Sequence, residues 1–134
     1  MAKTYTENIR VYYKDTDAGG VVYHTRYAEF MEVARTEMFR SSGMSAQEMI
    51  EDFNLTCPVV EMSLQFKKPA RYDDQLKIKV TAVEASSSRL VLEYSIKNGM
   101  GDELVTAQTT NVVVDSDAFT LKKFPPEFLD AFSS

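Results

Sequence analysis

The sequence has little cysteine and no long apolar run, and each shortage excludes a class of protein. Cys57 is the only cysteine, which excludes an internal disulfide and a zinc site built from several cysteines. The longest unbroken apolar stretches, such as residues 112–114, are far too short to cross a bilayer. We therefore expect no integral membrane segment.

Basic residues are also in short supply, which argues against a nucleic-acid partner. The chain has 15 lysine and arginine residues against 20 aspartate and glutamate residues, a net charge of −5. General binding of nucleic acid draws on many basic contacts to phosphates. The charge does not exclude one anionic small molecule, because a few local cations or a helix N-terminus can hold it.

What the sequence does contain is the composition of an ordinary folded domain. Hydrophobic residues make up 44% and charged residues 26% of the chain, which argues against global disorder. A chain of 134 residues is long enough to fold as a single domain, residues 1–134, without disulfides or a structural metal. Because residues 1–8 lack the apolar core of a secretory signal, we expect the protein to be cytoplasmic.

The first half of the chain changes from strand periodicity to helix periodicity. Residues 5–13 alternate apolar and polar side chains and predict a strand. From about residue 26 to residue 40, apolar residues recur at helical spacing, with Thr25 as the expected N-cap and Gly43 at the expected stop. Residues 45–53 predict a second, shorter helix that begins at a serine cap.

The second half of the chain predicts four long strands. They are residues 59–68, 75–85, 89–97 and 104–114. The intervening segment 98–102, Asn-Gly-Met-Gly-Asp, is a strong hairpin signal. Because the connections are too short for parallel crossovers, we expect these strands to be antiparallel neighbours.

These elements predict an α+β fold in which a curved antiparallel sheet surrounds one long helix. The long apolar helix is the obvious cover for the apolar face that such strands present. The other face and the edges of the sheet have no partner among the predicted elements, which favours self-association.

The densest group of chemically useful residues is the segment 12–27, which joins an acidic turn, two glycines and the start of the long helix. Backbone N–H groups at a helix start carry partial positive charge and can polarise a carbonyl. A carboxylate a few residues upstream could attack that carbonyl, or deprotonate a water molecule that does. Gly19 and Gly20 would let the backbone approach a substrate closely.

Two plainer interpretations compete with this one. The same segment suits a simple turn whose aspartates cap backbone groups. A metal site at Asp15 and Asp17 is the weaker alternative, because two carboxylates without further clustered ligands rarely hold a metal.

The same part of the chain carries a recognisable motif. It runs from residues 10–11 (RV) through residues 16–24 (TDAGGVVYH) to Tyr27. A second stretch, residues 66–74 (FKKPARYDD), combines a strand, a proline-containing bend and an Asp-Asp turn. Together these stretches resemble the 4-hydroxybenzoyl-CoA thioesterase family. The sequence of residues 12–24, followed by Arg-Thr-Glu at 35–37, looks most like the branch of acyl-CoA thioesterases associated with the Tol–Pal system.

The resemblance implies the hotdog fold, a curved antiparallel sheet wrapped around one long helix, and hydrolysis of an acyl-CoA thioester. By motif position, Asp17 is the catalytic carboxylate and Asp15 is its upstream neighbour. Backbone N–H groups near Tyr23 and His24 would polarise the thioester carbonyl. Family members differ in whether the aspartate is a nucleophile, acting through an anhydride, or a general base, and both roles stay open here. The resemblance also implies a homodimer or homotetramer with the site at a subunit interface, and neither a metal nor a cofactor.

Further residues are candidates for substrate binding. They are Gly20, Val22, Tyr27, Ser63, Lys67, Arg71 and Arg89. The cations Lys67, Arg71 and Arg89, together with Lys68, could hold the phosphates of coenzyme A, or form an ordinary solvated rim. Ser63 could bind a water molecule or the acyl group, or face solvent. The side chain of His24 could orient substrate, or be an exposed residue of which only the backbone N–H matters.

The sequence thus predicts a cytoplasmic acyl-CoA thioesterase that acts as a homo-oligomer. One alternative is a hydratase or dehydratase of the same fold class, which the lack of a histidine inside the long helix disfavours. The other is a non-catalytic acyl-CoA-binding or scaffolding protein associated with envelope machinery. The acyl group stays open, because the seven methionines and several aromatic residues suit an aliphatic or an aryl pocket.

Overall fold

The computed structural model describes residues 3–132 and shows a long helix against an antiparallel sheet. Residues 1, 2, 133 and 134, which the expected domain includes, lie outside this described part. The strands are β1 (Thr4–Arg10), β2 (Leu55–Thr56), β3 (Val59–Phe66), β4 (Gln75–Ala85), β5 (Leu90–Lys97), β6 (Glu103–Asn111), β7 (Val113–Asp115) and β8 (Leu121–Lys122). The helices are α1 (Arg26–Ser41), α2 (Ala46–Phe53) and α3 (Pro126–Phe132), and a single 3₁₀ turn spans Tyr13–Asp15.

Five strands form the main sheet in the order β1-β4-β5-β6-β3, and three short strands form a second sheet in the order β2-β7-β8. Every strand pair is antiparallel. Alternate residues of β4 and β5 are buried, as their period of two predicts. These are Leu76, Ile78, Val80, Ala82, Leu90, Leu92, Tyr94 and Ile96.

Helix α1 covers this apolar face. The apolar residues that recur at helical spacing are all buried, namely Tyr27, Phe30, Met31, Ala34 and Met38. Gly43, with φ at +87°, lies just after the helix, where the sequence predicts the stop. Thr25 occupies the N-cap position, but its side chain makes no capping hydrogen bond. Instead, the Arg26 N–H donates to the Tyr23 carbonyl at 2.9 Å.

The second helix, α2, begins as predicted. The Ser45 hydroxyl accepts from the Glu48 N–H at 3.1 Å, and the Glu48 carboxylate reaches back to the Ser45 backbone. Asn54, in the left-handed conformation, ends the helix. Between residues 3 and 132, none of the helices combines the length and the apolar character needed to span a membrane.

The predicted strand over 5–13 is too long, because β1 ends at Arg10. The chain then folds into the 3₁₀ turn, where the Asp15 carboxylate accepts from the Tyr12 N–H at 2.9 Å. Tyr13, which belongs to the apolar set of the predicted alternation, is 80% exposed. A local hydrogen bond to an aspartate carboxylate therefore overrides the apolar alternation.

The predicted strand over 104–114 is in fact two strands of different sheets. At Val112 the backbone N–H donates to the Pro58 carbonyl at 3.2 Å, and the chain passes from β6 into β7. The prediction that all four long strands are sequential neighbours is also wrong. β3 pairs with β6 rather than β4, so residues 67–74 carry the chain across the sheet, and β3 becomes an edge strand.

Candidate active site

The candidate site begins at a tight turn between the 3₁₀ turn and α1. The Asp17 N–H donates to the Val21 carbonyl at 2.9 Å, and the Gly20 N–H donates to the Asp17 carbonyl at 3.0 Å. Thr16 and Val22 form a β-bridge across the base of this turn. Gly20 has φ at +80°, a backbone conformation that residues other than glycine rarely adopt.

The carboxylate of Asp17 is held on one side and open on the other. Its Oδ1 accepts from the Gly19 N–H at 2.8 Å, within the turn. A Cβ at position 19 would lie only 3.2 Å from the same oxygen, so the absence of a side chain at Gly19 avoids crowding the carboxylate. Its Oδ2 has no hydrogen-bond partner among residues 3–132. The side chain is exposed, so this second oxygen is accessible to a substrate or to water.

Asp17 lies in an open groove of about 380 Å³ between the turn and the end of β3. The lining residues are Asp17, Val21, Val22, His24, Tyr27, Phe66, Lys67, Lys68 and Pro69. One wall is apolar, with the Tyr27 and Phe66 rings at a centroid distance of 5.6 Å. The lining also includes the two lysines, and this combination suits an amphiphilic ligand with an apolar group and an anionic group.

The backbone of Ala70 holds two walls of the groove together. Its carbonyl accepts from the Val22 N–H at 2.9 Å, and its N–H donates to the Tyr27 hydroxyl at 3.2 Å. Burial raises the pKa of Tyr27, so this hydroxyl is protonated at neutral pH. The buried phenol is therefore a fixed part of the wall rather than a proton donor that titrates.

The start of α1 supplies an unpaired backbone donor at His24. The Tyr23 N–H donates to the Asp15 carbonyl at 2.9 Å, so the structure uses it inside the chain. The His24 N–H has no acceptor in the described part of the chain, and His24 lines the groove beside Asp17. Of the two N–H groups predicted to polarise a carbonyl, that of Tyr23 is therefore already used, because it donates to the Asp15 carbonyl.

Asp15 lies outside the groove and connects the 3₁₀ turn to the start of α1. Its side chain is buried, lies 3.9 Å from the Arg26 guanidinium and 3.3 Å from the Lys14 ammonium, and caps the 3₁₀ turn. It does not line the groove of Asp17. With the Asp15 carbonyl bonded to Tyr23, this residue fixes the helix start relative to the turn.

Three predicted substrate-binding residues lie elsewhere in the chain. Ser63 is exposed on β3 opposite Gln108, outside the groove. Arg71 lines an adjoining hollow, which shares only Lys68 and Pro69 with the groove. Arg89 lies at the far end of β4 and β5, where it binds Glu84 at 2.8 and 3.1 Å. The structure therefore does not bring these three to Asp17 within one chain, and their substrate contacts stay predictions.

Comparison with known proteins fits this geometry. The thioesterase-like superfamily matches residues 11–132. The chain belongs to this superfamily. The match includes the turn of Asp17, the whole of α1 and all strands after β1. The resemblance that the two motifs indicate is thereby confirmed, together with the hotdog fold and the enzyme class of thioester hydrolase.

Individual relatives of this thioesterase-like chain carry related names. Acyl-CoA thioester hydrolase YbgC of Escherichia coli is 36% identical over 124 residues, which are 92% of this chain and 92% of that protein. The crystal structure of a 1,4-dihydroxy-2-naphthoyl-CoA thioesterase from Synechocystis superposes with a TM-score of 0.91 at 28% identity, covering 98% and 97% of the two chains. A DHNA-CoA thioesterase from Staphylococcus aureus gives a TM-score of 0.90 at 29% identity, covering 97% and 89%.

Three groove residues were absent from the predicted candidates, namely Val21, Phe66 and Pro69. Phe66 and Pro69 lie in the motif over 66–74, on either side of Lys67 and Lys68, and Val21 lies in the motif over 16–24. The Leu104 carbonyl accepts from the N–H groups of Lys67 and Lys68 at 2.8 and 3.2 Å. The bend after β3 is therefore tied to β6, and that connection could not be read from the sequence.

The described residues of this thioesterase-like chain contain no group of three or more histidine, cysteine, aspartate or glutamate side chains that could hold a metal ion. Asp15 and Asp17 do not share a site, because Asp15 is buried behind the turn and Asp17 faces the groove.

The thiol of Cys57 is expected to resist alkylation in the folded protein. Burial raises its pKa from an ordinary 9.0 to about 12, which leaves very little of the reactive thiolate near pH 8. Iodoacetamide should therefore label native Cys57 more slowly than the urea-unfolded chain by roughly two to three orders of magnitude. Mass spectrometry of timed samples checks this, and equal rates would show that the thiol is open and reactive.

Proposed function

We propose that this chain hydrolyses the thioester bond of an acyl-CoA, and that the Asp17 carboxylate carries the reaction at the start of α1. The supporting observation is that Asp17 and His24 line one groove, and that within residues 3–132 neither Asp17 Oδ2 nor the His24 N–H has a hydrogen-bond partner. Membership of the thioesterase-like superfamily and the names of the relatives support the same activity.

A thioester suits a site with so few groups. Its carbonyl has weaker resonance stabilisation than that of an ester or amide. The leaving thiol ionises near pH 8.5 by analogy with cysteine, so it departs as a thiolate without a strong general acid. One carboxylate and one preorganised dipole then suffice, whereas amide hydrolysis usually requires a nucleophile, a base and an orienting group.

Two routes use the same geometry. In the first, Asp17 attacks the thioester carbon, the C–S bond breaks, coenzyme A leaves as the thiolate, and water hydrolyses the resulting anhydride. In the second, Asp17 takes a proton from water, the hydroxide adds to the carbon, and the collapse of the adduct expels the thiolate, which is then protonated. In both, the His24 N–H stabilises the negative oxygen that develops on the former carbonyl.

The groove also suggests how the substrate lies. The apolar wall of Val22, Tyr27 and Phe66 accommodates the acyl group, and Gly20 keeps the turn close to the thioester. Lys67 and Lys68 lie at the rim, where they would meet the phosphates of coenzyme A. Their side chains now lie 2.8 Å from Glu103 and 3.7 Å from Asp102. These pairs are exposed and therefore weak, so a polyanionic ligand can compete for the lysines.

We further propose that the protein is a single cytoplasmic domain that works as a homodimer or homotetramer. β3 is an edge strand of the described sheet, and its Val60 and Met62 side chains are 54% and 49% exposed. An apolar strand edge of this kind favours pairing with another copy. Sedimentation equilibrium over a range of concentrations tests this proposal, and a monomer at all concentrations would refute it.

A panel of acyl-CoA esters tests the activity directly. Short-chain, long-chain and aromatic esters are each incubated with the purified protein, and free thiol is detected. We expect release of coenzyme A from at least one class. If no ester releases thiol, the hydrolase proposal fails. Tight binding without release would instead favour a non-catalytic acyl-CoA-binding protein.

A further inference from the structure

A second pocket lies between α1 and α2, away from the groove of Asp17. Its volume is about 180 Å³, and it shares no lining residue with that groove. Apolar side chains such as Phe39 and Met49 form part of its wall, and Arg35, Thr36 and Thr56 form a polar part. Neither the proposed hydrolysis nor the core packing accounts for a cation in this place.

Within the described residues, Arg35 lacks an anionic partner. Its side chain is half-buried, and its Nη1 donates to the Tyr94 hydroxyl at 3.1 Å. No carboxylate lies within ion-pair distance of it among residues 3–132. Four other arginines of the described chain, Arg10, Arg26, Arg40 and Arg89, do have such a partner. A partly desolvated guanidinium without a counter-charge is costly, and its other N–H groups remain available.

The guanidinium is held in place by a row of buried polar groups. The Tyr94 hydroxyl, which accepts from Arg35, shares a hydrogen bond of 2.8 Å with the Thr109 hydroxyl. Both Tyr94 and Thr109 are buried in the sheet. The Arg35 side chain is therefore already held by the buried Tyr94 hydroxyl, and binding an anion would require little further loss of its conformational freedom.

We propose that this pocket binds a small organic carboxylate, with Arg35 as its cation. The planar guanidinium matches a carboxylate in a two-point contact. The volume, compared with about 30 Å³ for a water molecule in the liquid, admits a carboxylate with a few carbon atoms. The apolar wall favours such an organic anion over a bare inorganic one. Glu32 also lines the pocket, and its negative charge opposes the ligand.

Titration with butyrate at constant ionic strength tests the proposal. We expect saturable binding by calorimetry, with amide NMR shifts at Thr36 and Thr56 and none at Gly19 or His24. Arg35→Met should weaken butyrate binding by at least about tenfold, because a charge-assisted contact is lost. Glu32→Gln should tighten it several-fold. Arg40→Met, on the exposed face of the same helix, should leave the affinity unchanged.

The opposite signs at positions 32 and 35 keep the test decisive. If Arg35→Met does not fold, the folded Glu32→Gln protein still has to bind butyrate more tightly than the wild type. An affinity that is unchanged in either variant, no binding to the wild type, or shifts confined to Gly19 and His24 would each overturn the proposal. Because the pocket and the groove share no residue, these outcomes are independent of the acyl-CoA assay.

Discussion

Replacing Asp17 by asparagine should lower kcat for acyl-CoA hydrolysis by about 10²–10⁴-fold, the range that a single general base contributes. The amide oxygen can still accept from the Gly19 N–H, which now bonds the carboxylate at 2.8 Å. The turn should therefore persist. What is lost is the negative oxygen that attacks the thioester or deprotonates water. Steady-state kinetics with free-thiol detection, on whichever ester the wild type hydrolyses best, measures the loss.

A matched control separates this effect from a general loss of charge. Asp130 is an exposed carboxylate on α3, outside the groove. Asp130→Asn makes the same chemical change and should leave kcat and KM at their wild-type values. If Asp17→Asn and Asp130→Asn both turn over like the wild type, another group carries the reaction.

Replacing Phe128 by alanine should remove about 3–5 kcal/mol from the free energy of unfolding, as large-to-small changes of a buried aromatic residue do. Phe128 is fully buried and stacks on Phe124 at 4.8 Å, with Phe132 at 4.7 Å and Phe39 of α1 at 5.7 Å. These rings attach α3 to the end of α1. Urea unfolding followed by circular dichroism gives the value.

The same substitution at an exposed phenylalanine is the control for this prediction. Phe119 is 63% exposed, and Phe119→Ala should change the free energy of unfolding by less than about 0.5 kcal/mol. Comparable losses at both positions would contradict the assignment of the α3 ring cluster as a stabilising part of the core.

The periodicity of the sequence correctly predicted those helices and strands that bury one face against a single neighbouring element. The long helix was expected over 26–40 and is Arg26–Ser41, because its apolar residues meet one sheet face. β4 was expected over 75–85 and has those bounds. α2 was found from its capping serine, a signal that needs no tertiary contact. In each case the local preference and the tertiary environment agree.

Where the chain changes partners, the sequence was misleading. The valines over 112–114 continue an apolar strand pattern, yet β6 ends at Asn111 and β7 belongs to the other sheet. The pairing of β3 with β6 depends on the path of residues 67–74, which no local pattern specifies. α3 was not predicted at all, because seven residues are too few for a clear helical period.

The candidate site was predictable to the extent that one segment builds it. Asp17, Val22, His24 and Tyr27 were expected together, and the structure places them in one groove. Lys67 joins them from a distant part of the chain, as the second motif suggested. Arg89 was a candidate for the phosphates of coenzyme A because of its charge, and within this chain the length of β4 separates it from the turn. Charge gives no information about position along a strand.

In the proposed reaction, the Asp17 carboxylate acts in the chemical step rather than in holding the substrate. Equilibrium binding of an acyl-CoA to Asp17→Asn, measured by calorimetry beside its single-turnover rate, tests this most directly. We predict a Kd within about threefold of that for a non-hydrolysable analogue on the wild type, with hydrolysis slowed by at least about 100-fold. Single turnover at the wild-type rate would contradict the claim, as would a loss of binding large enough to explain the loss of activity.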